Sequence, residues 1–269
     1  MEDIYKTAKP SNLISDNEIV TSYECGDYTE IVCCKHKVSS IDIIRLNKSQ
    51  YVDTHTGSIR EYNFSDCKSI DNFKKEFKNI PRYIKGYFYG DKSERLITLT
   101  YSLYMDNPYK LSTDFKKFIL KLERRCGKCR YFYVKEPQDN GSWHIHAIIK
   151  SMEFPLFPIE EQKLCSLWKQ GDNVNVQNIY NIDTLAYYFD ITRYEHKIER
   201  LKYYPPYLHI YGHSVDMKIH KKRGKYKNLK PQYVGLTYEG TNVGTSIDED
   251  TGEIINCYKN IYQQFINKI

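Results

Sequence analysis

The sequence predicts an α+β fold, in which helices pack against an antiparallel sheet. Three observations carry that expectation. Apolar and polar residues alternate over residues 96–101 (Leu-Ile-Thr-Leu-Thr-Tyr). A polar turn, Gln138-Asp139-Asn140-Gly141, separates two strand-like runs. Helical spacing of apolar residues recurs between strand-like segments instead of being gathered at one end. The organisation expected along the chain is an N-terminal extension of short strands and turns over residues 1–90, an α+β core over 91–215, and a basic segment with a C-terminal hairpin over 216–269.

Taken in order, the first 70 residues read as short strands and turns of mixed polarity, such as Glu30-Ile31-Val32-Cys33. Residues 71–79 suit a short helix, with Phe73 and Phe77 at i and i+4. The alternating run at 96–101 marks a strand with one face in the core. Ser112 and Thr113 are cap candidates for the helix that follows, where Phe115, Phe118, Ile119 and Leu122 fall at i, i+3, i+4 and i+7. Residues 130–134 and 144–149 then form two strands of an antiparallel hairpin joined by the polar turn. A helix over 159–168 has Gly171 as its C-cap candidate, a strand follows at 174–176, and Asp183 can cap a further helix. The acidic turn at 248–253 suggests a small hairpin near the end.

The chain has 269 residues, of which 41% are hydrophobic, enough to bury a sizeable core. Its net charge is +6, which permits a polyanionic partner without demanding one. Tyrosine is frequent, 26 residues against 11 phenylalanines. AT-rich coding accounts for much of that excess, and tyrosines interleaved with lysines can also stack bases and hold phosphates. The start, MEDIYKTAKP, lacks the basic-then-apolar layout of a secretory signal, and no apolar run approaches the ~20 residues that span a bilayer. A cytoplasmic protein with no membrane partner is expected, its eight cysteines reduced. Neither the Cys126–Cys129 pair nor the cluster of Cys25, Cys33, Cys34 and His36 completes a zinc ligand set.

The chemistry centres on the hairpin. His144 and His146 stand two apart on a strand, so both side chains leave the same face while Ile145 faces the other way. Glu136, at the end of the partner strand, can reach that face. Two imidazoles and a carboxylate bind a divalent metal and leave positions for a phosphate oxygen and water. The helix beginning near Asp183 carries Tyr187, Tyr188 and Tyr194. At 100° per residue, Ala186, Asp190, Arg193 and Lys197 share one side, and the centre of the remaining apolar arc falls almost on Tyr188. A helical wheel would therefore aim Tyr188 at the sheet, with Tyr187 and Tyr194 at the margin.

The leading strand LITLTY, the block EPQDNGSWHIHAII and the tyrosine helix, in that order, resemble the three motifs of HUH replication initiators. The chain is similar to Rep proteins of rolling-circle plasmids and related elements in low-GC Gram-positive bacteria. Further support comes from Glu24-Cys25-Gly26, residues 114–122, Trp168 with Gly171, and Tyr203-Tyr204-Pro205-Pro206 before His209-Ile210-Tyr211. The resemblance implies a five-stranded antiparallel sheet with the histidines on a central strand and the tyrosine helix beside it. By position it makes His144, His146 and Glu136 the ligands of Mn²⁺ or Mg²⁺, and Tyr188 the nucleophile. The family usually has a lysine three residues after that tyrosine. Here Ile191 stands there, whereas Tyr194 has Lys197 at the family spacing.

The implied activity is site-specific nicking and joining of single-stranded DNA through a 5′-phosphotyrosyl intermediate, initiating rolling-circle replication. A phenol, with a pKa near ~10, needs a cation or close alignment to act at neutral pH. Single-stranded or hairpin origin DNA is the expected partner, with Lys218, Lys221, Lys222, Arg223 and Lys225 on its phosphates. No G-x-x-x-x-G-K-[ST] loop occurs in the chain, so unwinding and extension are expected from a host helicase and DNA polymerase. Two other readings stay open: an HUH-like module that binds a DNA hairpin without cutting it, and a metal hydrolase unrelated to DNA.

Overall fold

The computed structural model describes residues 13–39, 43–47, 50–54, 56–61, 70–172, 174–189, 199–231, 235–247 and 254–266. In chain order its elements are β1 (Ile19–Cys25), β2 (Tyr28–Ser39), β3 (Ile43–Arg45), β4 (Gln50–Asp53), β5 (Ile59–Glu61), α1 (Ile70–Phe77), α2 (Asn79–Tyr87) and β6 (Glu94–Leu99). They continue with α3 (Pro108–Cys126), β7 (Cys129–Pro137), β8 (Trp143–Ser151), α4 (Glu161–Trp168), β9 (Val174–Gln177) and α5 (Ile182–Tyr188). A 3-10 turn (Glu199–Tyr203) leads to β10 (Tyr211–His213), β11 (His220–Lys225), α6 (Tyr226–Leu229), β12 (Gly235–Ile247) and β13 (Ile254–Ile266). The chain divides into two units: Met1–Phe64 with Ile219–Ile269, and Ser65–Lys218.

The Ser65–Lys218 unit is the α+β core. Its five strands are antiparallel in the order β10-β7-β8-β6-β9, so β8 lies at the centre. Alternation sorts β8 into two faces. Ile145, Ala147 and Ile149 turn to the side where α3 packs its buried Leu111, Phe115, Phe118 and Leu122. Phe115 meets Tyr133 there at 4.3 Å between ring centroids. His144, His146 and Ile148 turn to the other side. That side is covered too: Tyr83 of α2 lies 5.9 Å from Phe132, and Phe73 of α1 meets Tyr204 edge-on at 4.8 Å.

Several local expectations are corrected. The first long helix is capped by Asn107, whose side chain accepts from Tyr109 N, and Pro108 opens it. Ser112 and Thr113 lie inside the helix, because its start is set by the Asn-Pro pair upstream. Lys169, at φ 57°, ends α4 in place of Gly171. Gly171 has a different reason to be glycine: a Cβ there would collide with the carbonyl oxygen of Thr100. Trp168 Nε1 donates to the same carbonyl at 2.6 Å. Asn181 caps α5 by accepting from Thr184 N, so Asp183 is not the cap and instead pairs with Lys85 at 2.7 Å. The helix α2 was not expected, because Pro81 reads as a breaker; in the first turn its missing N–H costs nothing.

In the other unit a second antiparallel sheet runs β11-β1-β2-β13-β12. One face carries a core of Val20, Ile31, Cys33, Leu236, Ile261 and Phe265, closed by Tyr226 of α6. The C-terminal hairpin is not small: β12 and β13 each have 13 residues, and β13 pairs along β2. The acidic turn between them, at 248–253, lies outside the described residues. A short sheet, β3-β4-β5, belongs to the same unit.

Candidate active site

The central strand sets the site. Glu136 on β7 is the direct cross-strand partner of His144, and Thr98 on β6 is that of His146. Side chains directly opposite each other share a face, so four polar groups from three adjacent strands converge. His144 and His146 are 7% and 8% exposed and Glu136 is 2% exposed, so the cluster is set into the protein and not displayed on a bare hairpin.

The geometry fits a metal. The two Nε2 atoms are 2.8 Å apart, close to what two nitrogens adopt when each lies ~2.1 Å from one ion at roughly a right angle. Glu136 Oε2 lies 3.6 Å from His146 Nε2, and one ligand atom from each of the three residues falls within 4.8 Å of the others. Among the described residues this is the one group of three or more His, Cys, Asp or Glu with such spacing. His146 Nδ1 is 3.0 Å from Thr98 Oγ1. A hydrogen bond on Nδ1 orients the ring and directs Nε2 inward.

The other carboxylate oxygen, Glu136 Oε1, accepts from Arg200 at 2.7 Å, and Arg200 also holds Asp139 at 2.8 Å. The guanidinium thereby ties the end of β7 to the hairpin turn. Sequence reasoning missed both Thr98 and Arg200. The period-2 pattern of β6 could have put Thr98 on the histidine face. Arg200 carried no signal, being 64 residues from its partner.

The ring of Tyr188 meets His146 edge-on at 5.9 Å between centroids, and Phe189 lies 6.1 Å from the same imidazole. Tyr188 is not, however, the inward residue that the helical wheel selects. The buried residues of α5 are Leu185 and Ala186, followed by Phe189, while Tyr188 is 41% exposed. The helix leans on α2, and that contact sets its inward face. Tyr187 turns toward Lys85, whose Nζ lies 5.2 Å from its ring. Tyr194, Arg193 and Lys197 lie outside the described residues.

Two other tyrosines are near in space or sequence, but both are held as phenols. Tyr204 is fully buried, donates to Lys135 O and touches Trp143 edge-on. Burial pushes its hydroxyl well above the usual range, and the Glu136 carboxylate adds to that. Burial and the neighbouring Asp114 do the same to Tyr101. Of the basic residues expected on DNA, Lys218 is exposed in the Ser65–Lys218 unit. Lys221, Lys222, Arg223 and Lys225 are exposed on β11, which is an edge strand and not a loop.

Among the described residues, no helix is long and apolar enough to cross a membrane. No curated protein and no solved structure matches the chain. Residues 94–199, running from β6 past α5, match the model of a family described as replication-associated protein ORF2, and this match supports a Rep-type role in the initiation of DNA replication.

Proposed function

We propose that the chain is a metal-dependent endonuclease that nicks and rejoins single-stranded origin DNA through Tyr188, initiating rolling-circle replication. One observation carries the reading: an exposed tyrosine stands beside His146, itself one of three converging ligands, inside the segment matched to replication-associated proteins. A divalent cation held by Glu136, His144 and His146 would supply Lewis-acid polarisation of the scissile phosphate. Two imidazoles suit Mn²⁺ better than Mg²⁺, which prefers oxygen ligands and its own water.

The protein groups divide the remaining work. Thr98 fixes the His146 ring and Arg200 fixes the Glu136 carboxylate. Tyr188, open to solvent on one side, can meet a strand arriving from outside. Its oxygen bonds to phosphorus as the bond from phosphorus to the 3′ oxygen breaks. The phenolic proton passes to solvent and the released 3′ oxygen takes one up. The products are a 5′-phosphotyrosyl enzyme and a 3′-hydroxyl that can prime synthesis by a host polymerase after a host helicase has opened the duplex. One phosphodiester replaces another, so cleavage needs no nucleoside triphosphate and can be reversed.

A second reading, a DNA-binding module without catalysis, is favoured by one contact. Arg200 already neutralises Glu136, so the carboxylate does not require an ion. Incubating the protein with Mn²⁺ and end-labelled single-stranded origin DNA separates the two. A covalent adduct on a denaturing gel is expected for the enzyme, and retention without an adduct for the module.

A further inference from the structure

The second sheet has a face that its own core does not use. Alternation places Ile19, Thr21 and Tyr23 of β1 opposite to the core residues Val20 and Ser22. The register carries this face across all five strands. One row runs Lys221, Tyr23, Glu30, Gln264, Tyr238, and the next runs Arg223, Thr21, Val32, Tyr262, Gly240. Lys225 follows along the edge, opposite Ile19. With strands ~4.8 Å apart, the face is about 19 Å wide.

Its chemistry is that of a nucleic-acid surface. Lys221, Arg223 and Lys225 are exposed and share the outer edge. Among the described residues of this face Glu30 is the one acid, and it is buried and accepts from Tyr28 Oη at 3.3 Å. Tyr238 is 53% exposed, and a Cβ at Gly240 would collide with its ring. The ring therefore lies down over Gly240 and presents a flat surface outward. Tyr262 is the cross-strand partner of Gly240, and Lys221 Nζ lies 5.8 Å from the Tyr23 ring. Cations at an edge with tyrosines inward of them match a single strand, whose phosphates need charge and whose unpaired bases need a stacking partner.

We infer that this face is a second, non-catalytic site for single-stranded DNA, with Lys221, Arg223 and Lys225 on the backbone and Tyr238 and Tyr262 under the bases. The inference rests on the reading that the chain acts on single-stranded DNA, but it concerns a different unit from the nicking residues. Lys222 is excluded from it. That side chain turns to the opposite face and pairs with Glu24 at 2.8 Å.

The test is fluorescence anisotropy of a labelled oligothymidine with the full chain in EDTA. The double variant Lys221→Gln/Arg223→Gln should bind about tenfold more weakly, with a log–log salt slope shallower by about 1.4, since each single-strand phosphate contact contributes about 0.7. Tyr238→Ala should also lose about tenfold with the slope unchanged, and Tyr238→Phe should retain binding. Lys222→Gln, the same charge on the same strand, should bind like the wild type. Equal binding by the double variant overturns the proposal. So does equal weakening by Lys222→Gln, or displacement of the oligonucleotide by polyglutamate as readily as by unlabelled single strand. Adduct formation with Mn²⁺ is measured on the same proteins. An adduct without this binding pattern removes the surface and leaves the nicking reading; the pattern without an adduct does the reverse; neither in the wild type removes both.

Discussion

In the sheet that carries His144 and His146, the strands that build the site are close in sequence, and Glu136 faces His144 across a tight hairpin. The sheet of the other unit joins strands from the two ends of the chain, so that Glu24 and Lys222, 198 residues apart, form an ion pair. The contrast shows where polar chemistry can be concentrated with little entropic loss. A hairpin brings two ligands and their carboxylate partner together over a short loop, whereas a sheet of distant segments must hold its register by burial. The first sheet is therefore expected to fail chemically when a single polar group is removed. The second is expected to fail mechanically when its core is.

The largest effect should come from His146→Ala. Loss of one ligand should lower nicking about 10⁴-fold, roughly 5 kcal/mol of transition-state stabilisation, while circular dichroism still reports a folded chain. EDTA should do the same to the wild type. Nicking that survives in either case would exclude a role for the metal and with it the chemical half of the comparison.

Phe265→Ala attacks the other sheet. The ring is 1% exposed, and its removal should cost roughly 4 kcal/mol. Hydrogen exchange should then speed up in β1 and β2 while the β7–β8 hairpin keeps its protection. Loss of protection in both would mean that the two sheets do not unfold separately.

Arg200→Ala should weaken Mn²⁺ affinity 10–100-fold by calorimetric titration, with Arg200→Lys intermediate, because the guanidinium orients Glu136. Two effects oppose each other here, since removing a cation also makes the site more attractive to another cation. Orientation is expected to win. Tighter Mn²⁺ binding by Arg200→Ala would show that Arg200 competes with the metal, and would favour the binding-module reading.

These residues also mark how far the sequence could be read. The strands at 96–101, 130–134 and 144–149, and the helix bearing Phe115 and Phe118, are legible because each has a strong period over a short span. The histidine pair is legible for the same reason. The C-terminal hairpin is visible in the sequence, but its pairing with β2 is not, because no local pattern encodes a partner more than 200 residues away. Thr98 and Arg200 escape notice because their roles depend on cross-strand register and on a side chain arriving from another element. The wheel for α5 misjudges which face turns inward, because packing against α2, not apolarity alone, decides it. Caps are misassigned by a few residues where two suitable side chains lie near each other.

The smallest effect tests one of those caps. Asn107→Ala should cost about 1 kcal/mol of stability in a denaturant titration, and Ser112→Ala close to nothing. The reverse order would return the helix start to the position first expected.

Whether Tyr188 becomes covalently joined to DNA is decided by peptide mapping of the adduct formed with Mn²⁺ and single-stranded origin DNA. The nucleotide is expected on Tyr188, with the adduct absent from Tyr188→Phe and largely intact in Tyr187→Phe and Tyr194→Phe. A nucleotide on Tyr194 or Tyr187, or an undiminished adduct in Tyr188→Phe, would rule out Tyr188 as the nucleophile.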